Sequence, residues 1–132
     1  MNPGKLIHVS CAIIEKEGLV LVTRRGPQMS HPGKWEFPGG KLNSGETPEQ
    51  CLVREIQEEL ALGIEITRQL RPSTHDYPNL SVTLYPFICT ITGGEILLHE
   101  HSAFAWLTPS QLATLDWAEA DIPVLHHYLA QR

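Results

Sequence analysis

Apolar and polar positions change period along the chain, and the changes mark its elements. Residues 6–14 are β-branched and apolar almost throughout, which predicts a buried strand. Residues 15–18 form a charged stretch ending in Gly18 and predict a turn, after which 19–23 return as the hairpin partner. That partner delivers Arg24 and Arg25 to a loop punctuated by Gly26, Pro27, Pro32 and Gly33. After Gly45 the period becomes helical, with Leu52, Ile56 and Leu60 at four-residue steps along one face. Thr47 is an N-cap residue, Pro48 suits the first helical position, and Gln50 completes a capping box.

Beyond this helix, 64–67 predict a short strand and 80–92 a long one, part of which Pro86 demotes to an edge or a bulge. Gly93 and Gly94 are expected to turn the chain, and 96–98 and 104–107 to form the remaining strands. Thr108, Pro109 and Gln111 repeat the cap-plus-proline start for a short helix, and a last helix is expected over about 121–129. Strands interleaved with helices, with no repeat, linker or low-complexity segment, predict one α/β or α+β domain over 1–132.

Composition narrows what this domain does. At 132 residues it is large enough to bury a core without staples. The net charge of −5 argues against a nucleic-acid duplex as partner, yet leaves room for a small anionic ligand if a bound cation inverts the local field. Cys11, Cys51 and Cys89 are odd in number, far apart and set among apolar neighbours, so they read as buried hydrophobes in a reducing compartment. There is neither a signal-peptide pattern nor an apolar run near the length of a membrane span, which makes a cytoplasmic protein without membrane contact the expectation.

Candidate chemistry lies on the polar face of the first helix. Glu55, Glu58 and Glu59 are spaced three and four residues apart, a placement in which like charges repel by a few tenths of a kcal/mol. A hard divalent cation resolves the conflict, because magnesium prefers oxygen ligands and keeps room for substrate phosphates. The alternative is a solvated acidic face. Arg54, inside the cluster, can direct one carboxylate with a two-pronged hydrogen bond.

Gly40, Glu46, and the run Arg54-Glu55-Ile56-Gln57-Glu58-Glu59 at their spacing resemble the signature of the Nudix hydrolases. Thr23-Arg24-Arg25, 35–41, 45–50 and 120–125 look like the MutT-type branch and the related CTP pyrophosphohydrolases, so the resemblance spans nearly the whole chain. One position departs: Ala61 stands where the family has glycine, and the helix is expected to run on to a cap at Gly63.

The resemblance implies an α/β/α sandwich with a mixed sheet. It also implies hydrolysis of a nucleoside triphosphate to the monophosphate and pyrophosphate with Mg2+, or Mn2+ in its place. Carried onto this chain, the implied metal ligands are the Gly39 carbonyl, Glu55, Glu58, Glu59 and Glu100, and the catalytic candidates are Glu55, Glu58, Glu100 and Arg54. Glu46 is expected to anchor the loop. His99 and His101 flank Glu100, but on a strand they would share one face with Glu100 on the other, so a zinc site is not expected. Arg25 and Lys41 are the phosphate candidates, while Arg24 is expected to face solvent.

Glu36, Phe37, Pro38 and Asp121 are the implied base contacts, with Trp35 in the core. Asp121 is also an ordinary N-cap by position. An ionised aspartate only accepts hydrogen bonds, which favours an amino group on the base edge, as in cytosine or adenine. Cytosine or modified-cytosine nucleotides are therefore the expected substrates. Oxidised-guanine triphosphates come next and dinucleotides such as ADP-ribose further behind. A catalytically silent binding module and a domain of a larger assembly are the readings from other classes. A monomer or a homodimer is expected.

Overall fold

The computed structural model describes residues 5–131. Two antiparallel strands open it, β1 (Lys5–Lys16) and β2 (Leu19–Arg24), paired at Glu15↔Val20 and Lys16↔Leu19. The turn is therefore shorter than the charged stretch suggests. Only Glu17 and Gly18 lie outside the strands, at φ 53° and 80°, the left-handed pair that a two-residue hairpin loop uses. Two short strands follow, β3 (Trp35–Glu36) and β4 (Gly39–Lys41), then α1 (Pro48–Leu60), β5 (Leu62–Gln69) and β6 (Ser73–Asp76). The chain ends with β7 (Leu80–Gly94), β8 (Ala103–Leu107), α2 (Pro109–Leu112), a single 3-10 turn (Glu119–Asp121) and α3 (Ile122–Ala130).

The sheet is mixed, in the order β3-β2-β1-β7-β5. β1 runs parallel to β7 from Lys5↔Leu80 to Ile14↔Cys89, while the other ladders are antiparallel. The second edge of β1 is shared: β2 takes Glu15 and Lys16, and β4 takes Val9–Cys11. Alternation then sorts the side chains. Cys11, Ile13, Val20 and Val22 pack with Leu112, Val124, Leu125 and Tyr128 on the α2–α3 side. Ala12, Ile14 and Leu21 pack with Leu52, Ile56 and Leu60 of α1 on the other. The result is the expected α/β/α sandwich, with all three cysteines buried and unpaired. No helix among the described residues is long and apolar enough to cross a membrane.

Several expectations are corrected. α1 ends at Leu60, and its cap is Ala61 in the left-handed region at φ 59°, with its N–H donating to the Gln57 carbonyl. Gly63 instead pairs with Gly93 in the sheet, so Gly93 and Gly94 lengthen β7 rather than turn it. Residues 96–98 form no strand. They lie along the end of α1, where the Leu97 and His99 N–H groups donate to the carbonyls of Leu60 and Glu59. A helix C-terminus leaves carbonyls unpaired, and these compete with a sheet edge for the segment.

Pro86 sits in an interior strand, not at an edge. Its carbonyl accepts from Leu70, on the side where the β5 partner ends at Gln69 and β6 begins at Ser73. A residue's N and C=O face the same neighbour, so its missing donor falls in that gap.

Candidate active site

Glycine lets β4 pack closely on both β1 and α1. A Cβ on Gly39 would lie 1.9 Å from the Ser10 carbonyl oxygen, and one on Gly40 would lie 2.2 Å from the Glu55 carboxylate. At the head of α1, the Thr47 N–H donates to Gln50 Oε1 at 3.0 Å and the Gln50 N–H to Thr47 Oγ1 at 3.1 Å, completing the capping box. The helix thus starts at a set point and presents its acidic face to β4.

Arg54 organises that face. Its Nε and Nη2 grip Glu46 at 2.6 and 2.9 Å, Nη1 reaches Glu55 at 2.9 Å and Glu58 at 3.0 Å, and Nη2 also donates to the Lys41 carbonyl at 3.1 Å. Hydrogen bonding to Arg54, and then to the Asn43 N–H, pulls the Glu46 carboxyl down to about 2. Glu46 is thus the loop anchor, and Arg54 acts on the other carboxylates by positioning them.

The three helical glutamates do not share one environment. Glu55 and Glu59 line a cavity of about 720 Å3, and Glu100 enters the same cavity from the segment before β8. Glu58 is outside its lining, with more than half its side chain exposed. Burial pushes the Glu55 carboxyl up despite Arg54. Burial first and the nearby Glu100 second push Glu59 up, and its Oε2 is buried without a partner.

The cavity is also lined by Phe37, which is buried and tilts against Trp117 at 4.7 Å between ring centres. Trp35 packs half-buried against the core, and its backbone is stitched to 116–118, which carries the 3-10 turn towards Phe37. Asp121 then lies inside the fold rather than capping α3. It is 6% exposed, and its Oδ2 accepts from the Phe37 N–H at 2.9 Å. Burial, followed by the charge of Glu36, pushes the Asp121 carboxyl well above the usual range. The N-cap reading of this side chain is therefore corrected, because the buried amide of Phe37 offers a drier donor than the helix start does.

Glu36 lines the cavity with both oxygens engaged. Arg25 Nη1 donates to Oε1 at 2.6 Å, and His101 Nε2 lies 2.8 Å from Oε2. Arg25 also lines the cavity and holds Ser30 through the backbone carbonyl and, at 2.9 Å, through Oγ. Its guanidinium is thus committed to protein partners. Lys41 is exposed on the cavity wall, whereas Pro38 is buried outside it, with its carbonyl accepting from Ala12 at 2.8 Å. Arg24 faces solvent as expected.

The cavity also contains residues the sequence did not single out, including Ser30, His31 and Tyr77. His31 stacks on Tyr77 at 5.1 Å between ring centres. Their only forewarning is the Gly- and Pro-rich spacing of their loops. His99 and His101 do not lie on a strand; His101 is buried on the cavity wall.

Among the described residues, no three His, Cys, Asp or Glu side chains form a ready-made ion cage. The donor set nonetheless suits magnesium. It is all oxygen, it includes the orphaned Glu59 Oε2, and it leaves positions for water and phosphate.

The NUDIX domain family matches residues 4–128. The chain is 34% identical to the CTP pyrophosphohydrolase of Escherichia coli K12 over 128 residues, covering 97% of this chain and 95% of that protein. It is 42% identical to the 8-oxo-dGTP diphosphatase of Proteus vulgaris over 98 residues, covering 73% of this chain and 87% of that one. The solution structure of the E. coli ORF135 protein superposes with a TM-score of 0.84 at 33% identity, covering 98% of this chain and 92% of that chain.

Proposed function

The chain belongs to the Nudix hydrolases and is a nucleoside triphosphate pyrophosphohydrolase, and on that premise we propose that it prefers cytosine or modified-cytosine nucleotides. The observation that carries this is the likeness to a CTP pyrophosphohydrolase over 97% of this chain, and Asp121, seated beside Phe37 on the cavity wall, is compatible with it. Its burial changes the reason for the preference. Its raised pKa favours the protonated form, which offers one O–H and one C=O side by side and would match the ring N3 acceptor and the exocyclic N4 amine of cytosine.

Glu55, Glu59 and Glu100, with the Gly39 carbonyl, line the cavity and are the residues that would hold Mg2+, or Mn2+ in its place, while Glu58, expected among them, lies outside that lining. When bound, the ion neutralises phosphate oxygens and acidifies the attacking water. Water attacks the β-phosphorus, the bond from that phosphorus to the α-phosphate oxygen breaks, and the nucleoside monophosphate leaves. Glu55 and Glu100 line the cavity, which supports either as the proton acceptor over Glu58, whose side chain is turned outward. Arg54 holds Glu55 in direction, and Lys41 supplies positive charge on the wall. Arg25 acts through Glu36 and the 26–33 loop.

A neutral Asp121 also fits the O6 acceptor and N1–H donor of guanine, and this favours oxidised-guanine triphosphate as the second reading. The deciding experiment is a pyrophosphate-release screen with magnesium at limiting substrate. It compares CTP, dCTP, 5-methyl-dCTP, 5-hydroxy-dCTP, dGTP and 8-oxo-dGTP on the wild type and Asp121→Asn. Cytosine nucleotides are expected to give the highest kcat/KM, with the preference weakened by Asp121→Asn. A wild-type preference for 8-oxo-dGTP overturns the cytosine reading.

A further inference from the structure

His101 is a buried imidazole that the proposed chemistry leaves without a task. Its side chain is 1% exposed, and it lies in the segment between β7 and β8, directly after Glu100. Nε2 faces Glu36 Oε2 at 2.8 Å, so that nitrogen carries the proton and donates, while Nδ1 is buried with no partner. An unpaired buried nitrogen costs stability.

The same segment is pinned at three further points, the first being the His99 N–H, which donates to the Glu59 carbonyl at 3.3 Å. The Ser102 N–H donates to the Arg24 carbonyl at 3.0 Å. Gly26 presses so closely on the backbone before His101 that a Cβ there would lie 2.0 Å from the Glu100 carbonyl oxygen. Glu36, the partner of His101, is itself clamped by Arg25. These contacts form a rigid bracket around one exposed side chain, that of Glu100, and direct it into the cavity shared by Glu55 and Glu59.

We propose that His101 is a positioning residue for the hydrolysis: its hydrogen bond to Glu36 fixes the 99–102 segment so that the Glu100 carboxylate is delivered to the acidic end of the cavity. The inference rests on Glu100 acting in the reaction, as proposed for this site. His101 itself touches neither the phosphates nor the attacking water.

The test uses steady-state kinetics on His101→Asn, His101→Gln, Gly26→Ala, Glu100→Gln and the double variant His101→Asn/Glu100→Gln, each checked for folding by its thermal transition. A glutamine amide reaches the position of the imidazole Nε2–H and an asparagine amide does not. His101→Asn is therefore expected to lower kcat by about 10- to 100-fold with KM nearly unchanged, and His101→Gln to stay near wild type. Gly26→Ala should lower kcat in the same way, by displacing the Glu100 backbone while leaving the buried ring in place. In the Glu100→Gln background, His101→Asn should cost nothing further, because its effect runs through that carboxylate.

Equal activity of the Asn and Gln variants overturns the proposal, as does an unaffected Gly26→Ala. So do multiplicative losses in the double variant, which would make His101 independent of Glu100. If Glu100→Gln alone turns over at the wild-type rate, the role of Glu100 in the reaction fails and takes this inference with it. If Glu100→Gln is slow but His101→Asn is not, only the role of His101 fails.

Discussion

Asp121 shows how one side chain changes meaning with its surroundings. On a solvated helix start it would be an ionised cap, but beside Phe37 it is buried and faces the charge of Glu36. Its folded pKa lies well above the free value, so folding takes up a proton as pH rises from about 4. The sign follows: stability from this group is fully present below the unfolded pKa and is lost as pH climbs through the folded one. Asp121→Asn keeps an acceptor for the Phe37 N–H and has no charge to bury. Its Tm should exceed that of the wild type near pH 8, and the gap should close near pH 4. Thermal melts across that range check it. A gap that widens at low pH would show that burial of the charge is not what sets the shift.

At the scale of the element, α1 is a helix whose start is optimised and whose end is not. Thr47, Pro48 and Gln50 build a complete N-terminal cap, and all were legible because a cap depends on residues within one turn. The stop was misplaced. Gly63 looked like the cap, but the chain turns at Ala61, in a left-handed conformation that a Cβ disfavours. The pairing of Leu62 and Gly63 with Gly94 and Gly93 requires the strand to begin immediately after the helix, and that long-range ladder overrides the local preference. Ala61→Gly should therefore stabilise the protein by about 0.5–1 kcal/mol, raising Tm by a few degrees with turnover unchanged. An unchanged or lower Tm in a thermal melt would mean that the loop holds Ala61 without strain.

At the scale of the molecule, the sandwich brings distant parts of the chain to one cavity. β4 and α1 supply the glycines and acids, the 99–102 segment supplies Glu100, and the 3-10 turn supplies Asp121. Burial of Glu55 and Glu59 near Glu100 destabilises the cation-free fold, and a bound divalent ion should relieve it. Magnesium at 100 times its dissociation constant is expected to stabilise the native state by about 2.7 kcal/mol. The corresponding rise in Tm on adding MgCl2 should vanish with EDTA and shrink strongly in Glu59→Gln. A Tm indifferent to magnesium would remove the metal from this end of the cavity.

The sequence by itself determined what neighbours along the chain decide. This covers the capped helix with an apolar stripe and an acidic face, and the β1–β2 hairpin. These depend on residues within a turn or a pleat of one another, so period and spacing reveal them. The tertiary structure alone decided which acids face inward. Glu58 turns out while Glu55, Glu59 and Glu100 line the cavity, and Pro86 finds a gap inside the sheet. It also decided the partners of the two buried groups nearest the site. Asp121 meets an amide 84 positions away, and His101 meets a carboxylate 65 positions away. No local pattern encodes such pairs, because their energetics come from the absence of water, and only the closed sandwich excludes it.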